Sequence, residues 1–304
     1  MIRTMRPIML VVSAALLVVG CTAQDDTDVA PPAVVSTPAA PEPPVPMPAT
    51  DDATGSDAAP TLGSAAARPT WLGTRVLPLA ADGFGQRLAT PEELVDRRLV
   101  TPALPDPTPP PPPADGQFGA SIADVPPGVA ARSTWHEGCP VTLAELRYVS
   151  VTFHGFDARA HTGELLVHQD VADDVVRVFA ALHAERFPIE ELRIIAADEL
   201  SAPPTGDGNV TSAFVCRAAV GGSRWSDHAF GRAIDVNPFH NPYVRGDLVI
   251  PELAGAYVDR RDARPGMVIA GDAVTRAFAT IGWGWGGDWT GAATDPMHFS
   301  ASGR

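Results

Sequence analysis

Proline crowds the first 130 residues of this 304-residue chain and takes 32 positions in all, twice the usual share of about 5%. It lacks the N–H that helices and sheet ladders use, and its ring clashes with the preceding helical turn. No long helix or interior strand can run through such a stretch. The length alone would allow two ordinary domains; the prolines instead indicate one folded domain, from about residue 118 to 304, behind a long leader. A domain of that size buries an adequate core without staples. The net charge of −14 argues against a nucleic-acid partner, which requires a basic surface. All 22 basic residues are arginine, a bias consistent with a GC-rich genome.

The leader divides by composition. Arg3 and Arg6 precede an apolar run from Ile8 to Val19. That run is shorter than the about 20 residues a spanning helix needs, and it fits a signal-peptide core over residues 1–20. Val18-Val19-Gly20-Cys21 resembles the lipobox of bacterial lipoproteins. The resemblance implies cleavage before Cys21, a lipid on its sulfur, and an extracytoplasmic chain anchored to the bacterial cell membrane without spanning it. Residues 21–70 are rich in Ala, Pro, Asp, Ser and Thr and read as a disordered, extended tether. Residues 71–117 carry sparse apolar anchors (Trp71, Leu72, Leu77, Leu88) and read as a partly ordered arm, of which residues 71–104 are expected to pack on the domain or to form a short helix. Within it Thr90-Pro91-Glu92 looks like a capped helix start, and Pro109 to Pro113 is a polyproline spacer. Cys139 and Cys216 remain. Outside the cytoplasm such a pair is expected as a disulfide; the alternative, cysteine ligands to metal, lacks a C-x-x-C pair.

In the domain, Tyr148 to Phe156 alternates apolar and polar residues and predicts a half-buried strand. His161-Thr162-Gly163 reads as a turn and Glu164 to His168 as the partner strand. Asp170 is expected to cap a helix reaching Glu185, with Val175, Val178, Phe179 and Leu182 as its apolar stripe. Further strands are expected at Arg193–Ala197, Ala233–Asn237 and Met297–Ser300, and a second helix at Asp272–Ile281. Strands and helices mix without regular βαβ alternation, so the class is α+β, a small mixed or antiparallel sheet flanked by helices.

The chemistry concentrates in Ser226-Asp227-His228-Ala229-Phe230-Gly231-Arg232-Ala233-Ile234-Asp235 and, downstream, Asp295-Pro296-Met297-His298. A hydrolytic zinc site takes three N or O ligands and keeps one position open. His228 and Asp235, seven residues apart with Gly231 between, suit a loop ligand and a ligand on the following strand; His298 completes the set if the last strand is a neighbour. Asp295 can take a proton from the attacking water, and Arg217, beside Cys216, can stabilise the developing oxyanion. Ser226 caps the His228 turn or meets substrate. Trp285, among the tryptophans of Gly282–Trp289, is a candidate substrate platform, and Asp288 a candidate brace for a ligand histidine.

Ser226-x-His228-x-x-Gly231-x-Ala233-x-Asp235 followed by Asp295-x-x-His298-Phe299 resembles the zinc D-alanyl-D-alanine carboxypeptidases and the related L-alanyl-D-glutamate endopeptidases, the M15 or VanY-like group. Ser212–Arg217 resembles that family's arginine-bearing segment. The resemblance spans roughly Cys139 to Ser300. It implies a Hedgehog/DD-peptidase-like fold, Zn2+ held by His228, Asp235 and His298, Asp295 as base and acid, Arg217 as carbonyl polariser, and a peptidoglycan stem peptide as substrate. Many carboxypeptidase members carry Glu at the position of Asp295, so the bond cut stays open between the two branches. His161-Thr162-Gly163-Glu164 also resembles this group. A monomer is expected. The alternative is a non-catalytic, cell-wall-binding lipoprotein that retains the peptidase fold.

Overall fold

A computed structural model describes residues 65–79, 88–219 and 222–303. The signal peptide, Cys21 and nearly all of the tether lie outside the described residues. From Ala58 onward the chain forms one compact unit, in which no described helix is long and apolar enough to cross a membrane.

Three small antiparallel sheets and one parallel pair make the β-structure of the described residues. The first sheet joins β1 (Ala120–Ala123), β2 (Leu146–His154) and β3 (Ala160–His168). The parallel pair is β4 (Glu191–Leu192) with β5 (Val210–Thr211). The remaining sheets are β6 (Ala233–Asp235), β11 (His298–Ser300) and β9 (Gly284–Trp285), and β10 (Ala293–Thr294), β7 (Tyr243–Arg245) and β8 (Leu248–Ile250). Four α-helices accompany them: α1 (Glu92–Val95), α2 (Pro127–Arg132), α3 (Ala172–Ala184) and α4 (Ala273–Thr280). The α+β class is as expected, but the β-structure is split among several short sheets.

Helix α3 forms because Val175, Val178, Phe179 and Leu182 recur at helical spacing and all four are buried. They meet Val149, Val151 and Phe153 of β2 on one side and Val274 and Phe278 of α4 on the other. Phe299 of β11 stacks on Phe278 at 3.9 Å between ring centres, so the strand that carries His298 is fixed to this core. Asp272 caps α4 by accepting from the Thr275 N–H at 2.8 Å.

Four local readings require correction. His161, Thr162 and Gly163 belong to β3, paired with Phe153, Thr152 and Val151; the reversal lies at Gly155–Arg159, with Ala158 at φ 59°. Gly163 is needed for packing, because a Cβ there would come within 2.4 Å of Leu192. Asp170 falls in a short 3-10 turn, and α3 starts after Val171 with no side-chain cap. Arg193–Ala197 is not a continuous strand: β4 ends at Leu192, and beyond it only the Arg193 N–H bond to the Thr211 carbonyl and an isolated bridge of Ala196 to Ser133 remain, while the Arg193 guanidinium ties to Glu191 and Glu199. Thr90 does not cap α1. Its hydroxyl donates to the Leu253 carbonyl at 2.6 Å and accepts from the Ala256 N–H at 2.9 Å.

That last contact belongs to a wider one. The arm packs on the body. Leu77, Leu94 and Leu99 are buried in a core shared with Phe239, Val249, Leu253 and Tyr257. Arg97 is buried too; its N–H donates to the Tyr257 hydroxyl at 2.6 Å, and its side chain pairs with buried Glu190. Arg68, in the last part of the expected tether, also bonds Glu190. The polyproline run lies along the surface, where Thr162 donates to the Pro110 carbonyl at 2.8 Å.

Candidate metal centre and active site

Each candidate ligand is delivered by a different local device. Ser226 accepts from the His228 N–H at 3.4 Å and caps the 3-10 turn Asp227–Phe230. Gly231 ends that turn at φ 65°. A Cβ there would lie 2.6 Å from the His168 backbone nitrogen, so glycine is required by both conformation and close approach. The chain then enters β6, where Asp235 is held on both sides: its backbone exchanges hydrogen bonds with Ser212, and it stands opposite His298 of β11. The turn Asp295-Pro296-Met297-His298, closed by His298 N–H donating to the Asp295 carbonyl at 3.0 Å, sets the acid beside the last ligand.

The three side chains converge. His298 Nδ1 lies 3.0 Å from Asp235 Oδ1 and 3.2 Å from His228 Nε2, and His228 Nε2 lies 3.2 Å from Asp235 Oδ2. Their ligating atoms form a group that can hold a metal ion. The donor set fits one. His228 Nδ1 lies 2.6 Å from the Ala213 carbonyl, an acceptor only, so Nδ1 carries the proton and Nε2 presents a lone pair to Asp235. A cation between them, a metal ion or a proton, would relieve the two facing lone pairs. A tetrahedral zinc site with ligands at about 2.0 Å places ligand atoms about 3.3 Å apart, close to the separations found. The Ala213 carbonyl, rather than Asp288, orients His228; Asp288 is exposed.

The electrostatics separate the two carboxylates. Burial alone would raise the Asp235 carboxyl, but the charges and hydrogen bonds of His228 and His298 outweigh it and hold it well below the usual range. Burial lowers His298, yet Asp235, Asp295 and Asp227 more than reverse this and its pKa is raised. Asp295 is pushed up to about 7, first by burial and then by the Asp235 charge, with His298 and Arg217 opposing. One Asp295 oxygen, Oδ1, is buried without a hydrogen-bond partner among the described residues. A carboxyl poised near neutrality beside a metal site is suited to exchanging protons with water.

These groups line one cavity of about 760 Å3, together with Arg217, Arg224, Trp225 and Tyr243. Arg217 is fixed through its backbone, which donates to Val215 and accepts from Ser226. The preceding residue, Cys216, is disulfide-bonded to Cys139 as expected. Ser226 both caps its turn and lines the cavity. Trp285 is a correction: its ring packs against the main core and Phe299, its N–H donates to the Pro296 carbonyl at 2.8 Å, and Trp289 lines the cavity instead. His161 stands apart from the site, bonded to Asp157 at 2.9 Å.

Gly286 was not singled out by sequence reasoning. Its carbonyl accepts from Asp295 N–H at 2.9 Å, and a Cβ there would lie 2.4 Å from the Asp295 carbonyl oxygen. The glycine-rich run Gly282–Gly287 was the available signal. Comparison with curated proteins and with solved structures finds no match. Residues 220–301, which include the capping turn and the last strand, do match a family model, that of the D-alanyl-D-alanine carboxypeptidases of the M15 peptidase group.

Proposed function

We propose that the protein is a zinc-dependent peptidase that hydrolyses amide bonds in peptidoglycan stem peptides, acting outside the cytoplasm from a lipid anchor at Cys21. One observation carries this reading: three converging atoms that can hold a metal ion and a carboxyl poised near neutrality share a single cavity. Zinc, held by His228, Asp235 and His298, would supply Lewis acidity and lower the pKa of a water. Asp295 takes the proton of the attacking water and returns it to the departing amine. Arg217, at the cavity wall, faces the negative charge that grows on the carbonyl oxygen. Asp235 stays ionised throughout, and Ala213 keeps His228 in the tautomer that presents Nε2.

The family match and a second cavity cation favour the carboxypeptidase branch. Arg224 lines the cavity beside Arg217 and is available for a terminal carboxylate, whereas Arg232 is turned to Asp170 at 2.6 Å. Mass spectrometry of products from purified stem peptides, with and without chelator, tests both levels. Zinc-dependent release of a single terminal D-alanine is expected; internal cleavage would move the assignment to the endopeptidase branch, and no zinc-dependent cleavage would remove the reading. With Asp295→Asn, turnover should fall by about 10²–10⁴-fold while zinc stays bound. A non-catalytic wall-binding protein would show no turnover to lose.

A further inference from the structure

Trp289 is half-buried in the cavity wall, its ring 5.7 Å from the His298 imidazole between centres and inclined at 54°. Its indole N–H is buried and has no acceptor among the described residues. Other tryptophans in the fold do not share this condition: Trp285 donates to the Pro296 carbonyl, and Trp135 to the Val141 carbonyl at 3.1 Å. Buried donors are nearly always satisfied in native structures, and each exception calls for an explanation such as a role toward a ligand. Here the same cavity also holds an orphan acceptor, Asp295 Oδ1. A lone donor and a lone acceptor in one wall complement a group that both accepts and donates. A peptide backbone does both.

We propose that Trp289 is a substrate-positioning residue whose indole N–H donates to a backbone carbonyl of the bound peptide, next to the bond that is cut. The inference rests on the peptidase reading above. It gives Trp289 a role distinct from that of Arg217: the arginine meets the carbonyl that reacts, and the tryptophan holds a neighbouring one. Such a contact is made in the bound peptide before reaction as well as during it, so its loss falls mainly on KM.

Trp289→Phe keeps an aromatic ring and removes only the donor. The expected result with the full chain, loaded with zinc and given a stem peptide, is a fall of about tenfold in kcat/KM, the size of one ordinary hydrogen bond, carried by KM, with zinc content and Tm unchanged. In metal-free, 15N-labelled wild-type protein, the Trp289 indole resonance should shift saturably as the same peptide is added. Equal kcat/KM in wild type and Trp289→Phe overturns the inference, as does an indole resonance that ignores a peptide the protein binds; the second test holds even if the variant does not fold. Wild-type protein that binds the peptide with a shifted indole but cleaves nothing would overturn the peptidase reading and leave the contact standing.

Discussion

Two buried carboxylates show how differently one fold can treat the same group. Glu190 takes two hydrogen bonds from Arg97 at 2.7 Å, one from Arg68 at 2.8 Å and one from Asn209 at 2.7 Å. Burial would raise its pKa, but Arg97 and Arg68 hold it below the usual range. Asp295 is also buried, has an oxygen with no donor among the described residues, and is pushed up to about 7. Burial is common to both, so burial does not decide the outcome; the supply of donors and cations does. The Glu190 network is complete within the chain and fastens the arm to the body. The Asp295 region lacks such partners among the described residues. The saturated polar cluster fastens the arm here, and the unsaturated one belongs to the proposed active site.

The contrast can be broken or sharpened in four ways. His298→Ala removes a ligand, so zinc measured per folded molecule should drop below one and turnover should fall further than the about 10²–10⁴-fold expected from losing the base alone. Retention of full zinc would show that the unsaturated cluster is not the metal site. Gly286→Ala drives a methyl into the Asp295 backbone; a shift of the acid by about 1 Å can cost up to about 10²-fold in rate, with zinc still bound. An unchanged rate would mean that Asp295 needs no such placement. Arg97→Met leaves Glu190 charged and short of its main partner, which should lower stability by about 3–5 kcal/mol in thermal or urea unfolding, with zinc per folded molecule unchanged.

The smallest effect is a divergence with pH in metal-free protein. The folded pKa of Asp295 is raised, so its contribution to stability is present below the unfolded value of about 3.9 and is lost as pH climbs through about 7. Glu190 is lowered, so its contribution is present above the unfolded value of about 4.3 and is lost as pH falls. Between pH 4 and 8, Asp295→Asn should gain stability relative to wild type. Glu190→Gln should lose least at the acid end of a titration. Parallel stability curves for the two variants would erase the distinction.

The convergence of His228, Asp235 and His298 was legible because its constraints are local: a capped turn, a glycine at positive φ and a short strand lie within ten residues, and the second motif follows in the expected order. Helix α3 was legible from periodicity because it buries one face; strand β2 was legible from its alternation, but it is not half-buried as expected, since Ser150, Thr152 and His154 are buried along with Val149, Val151 and Phe153. Gly163 misled because glycine at a turn and glycine under Leu192 look alike in sequence. Arg193–Ala197 misled because a short apolar run does not show where its pairing ends. Gly286 and Trp285 depended on contacts with residues about ten positions away across a loop, which no single-residue property announces. The arm's packing was legible from its apolar anchors, but its polar fastening was not: Arg97 and Glu190 are 93 residues apart, and a buried ion pair of that separation has no sequence signature.

The arm also bears on the order in which the molecule can be completed. Its residues leave the ribosome before the rest of the body, yet Arg97 bonds a hydroxyl 160 residues later and the Val95 carbonyl receives Arg264 at 2.5 Å, 169 residues later. Closing loops of that length costs entropy before any contact offsets it, and long-range pairing slows folding. Leu94 and Leu99 therefore meet Phe239, Leu253 and Tyr257 only once nearly all of the polypeptide exists, although they belong to the earliest-synthesised portion of the body.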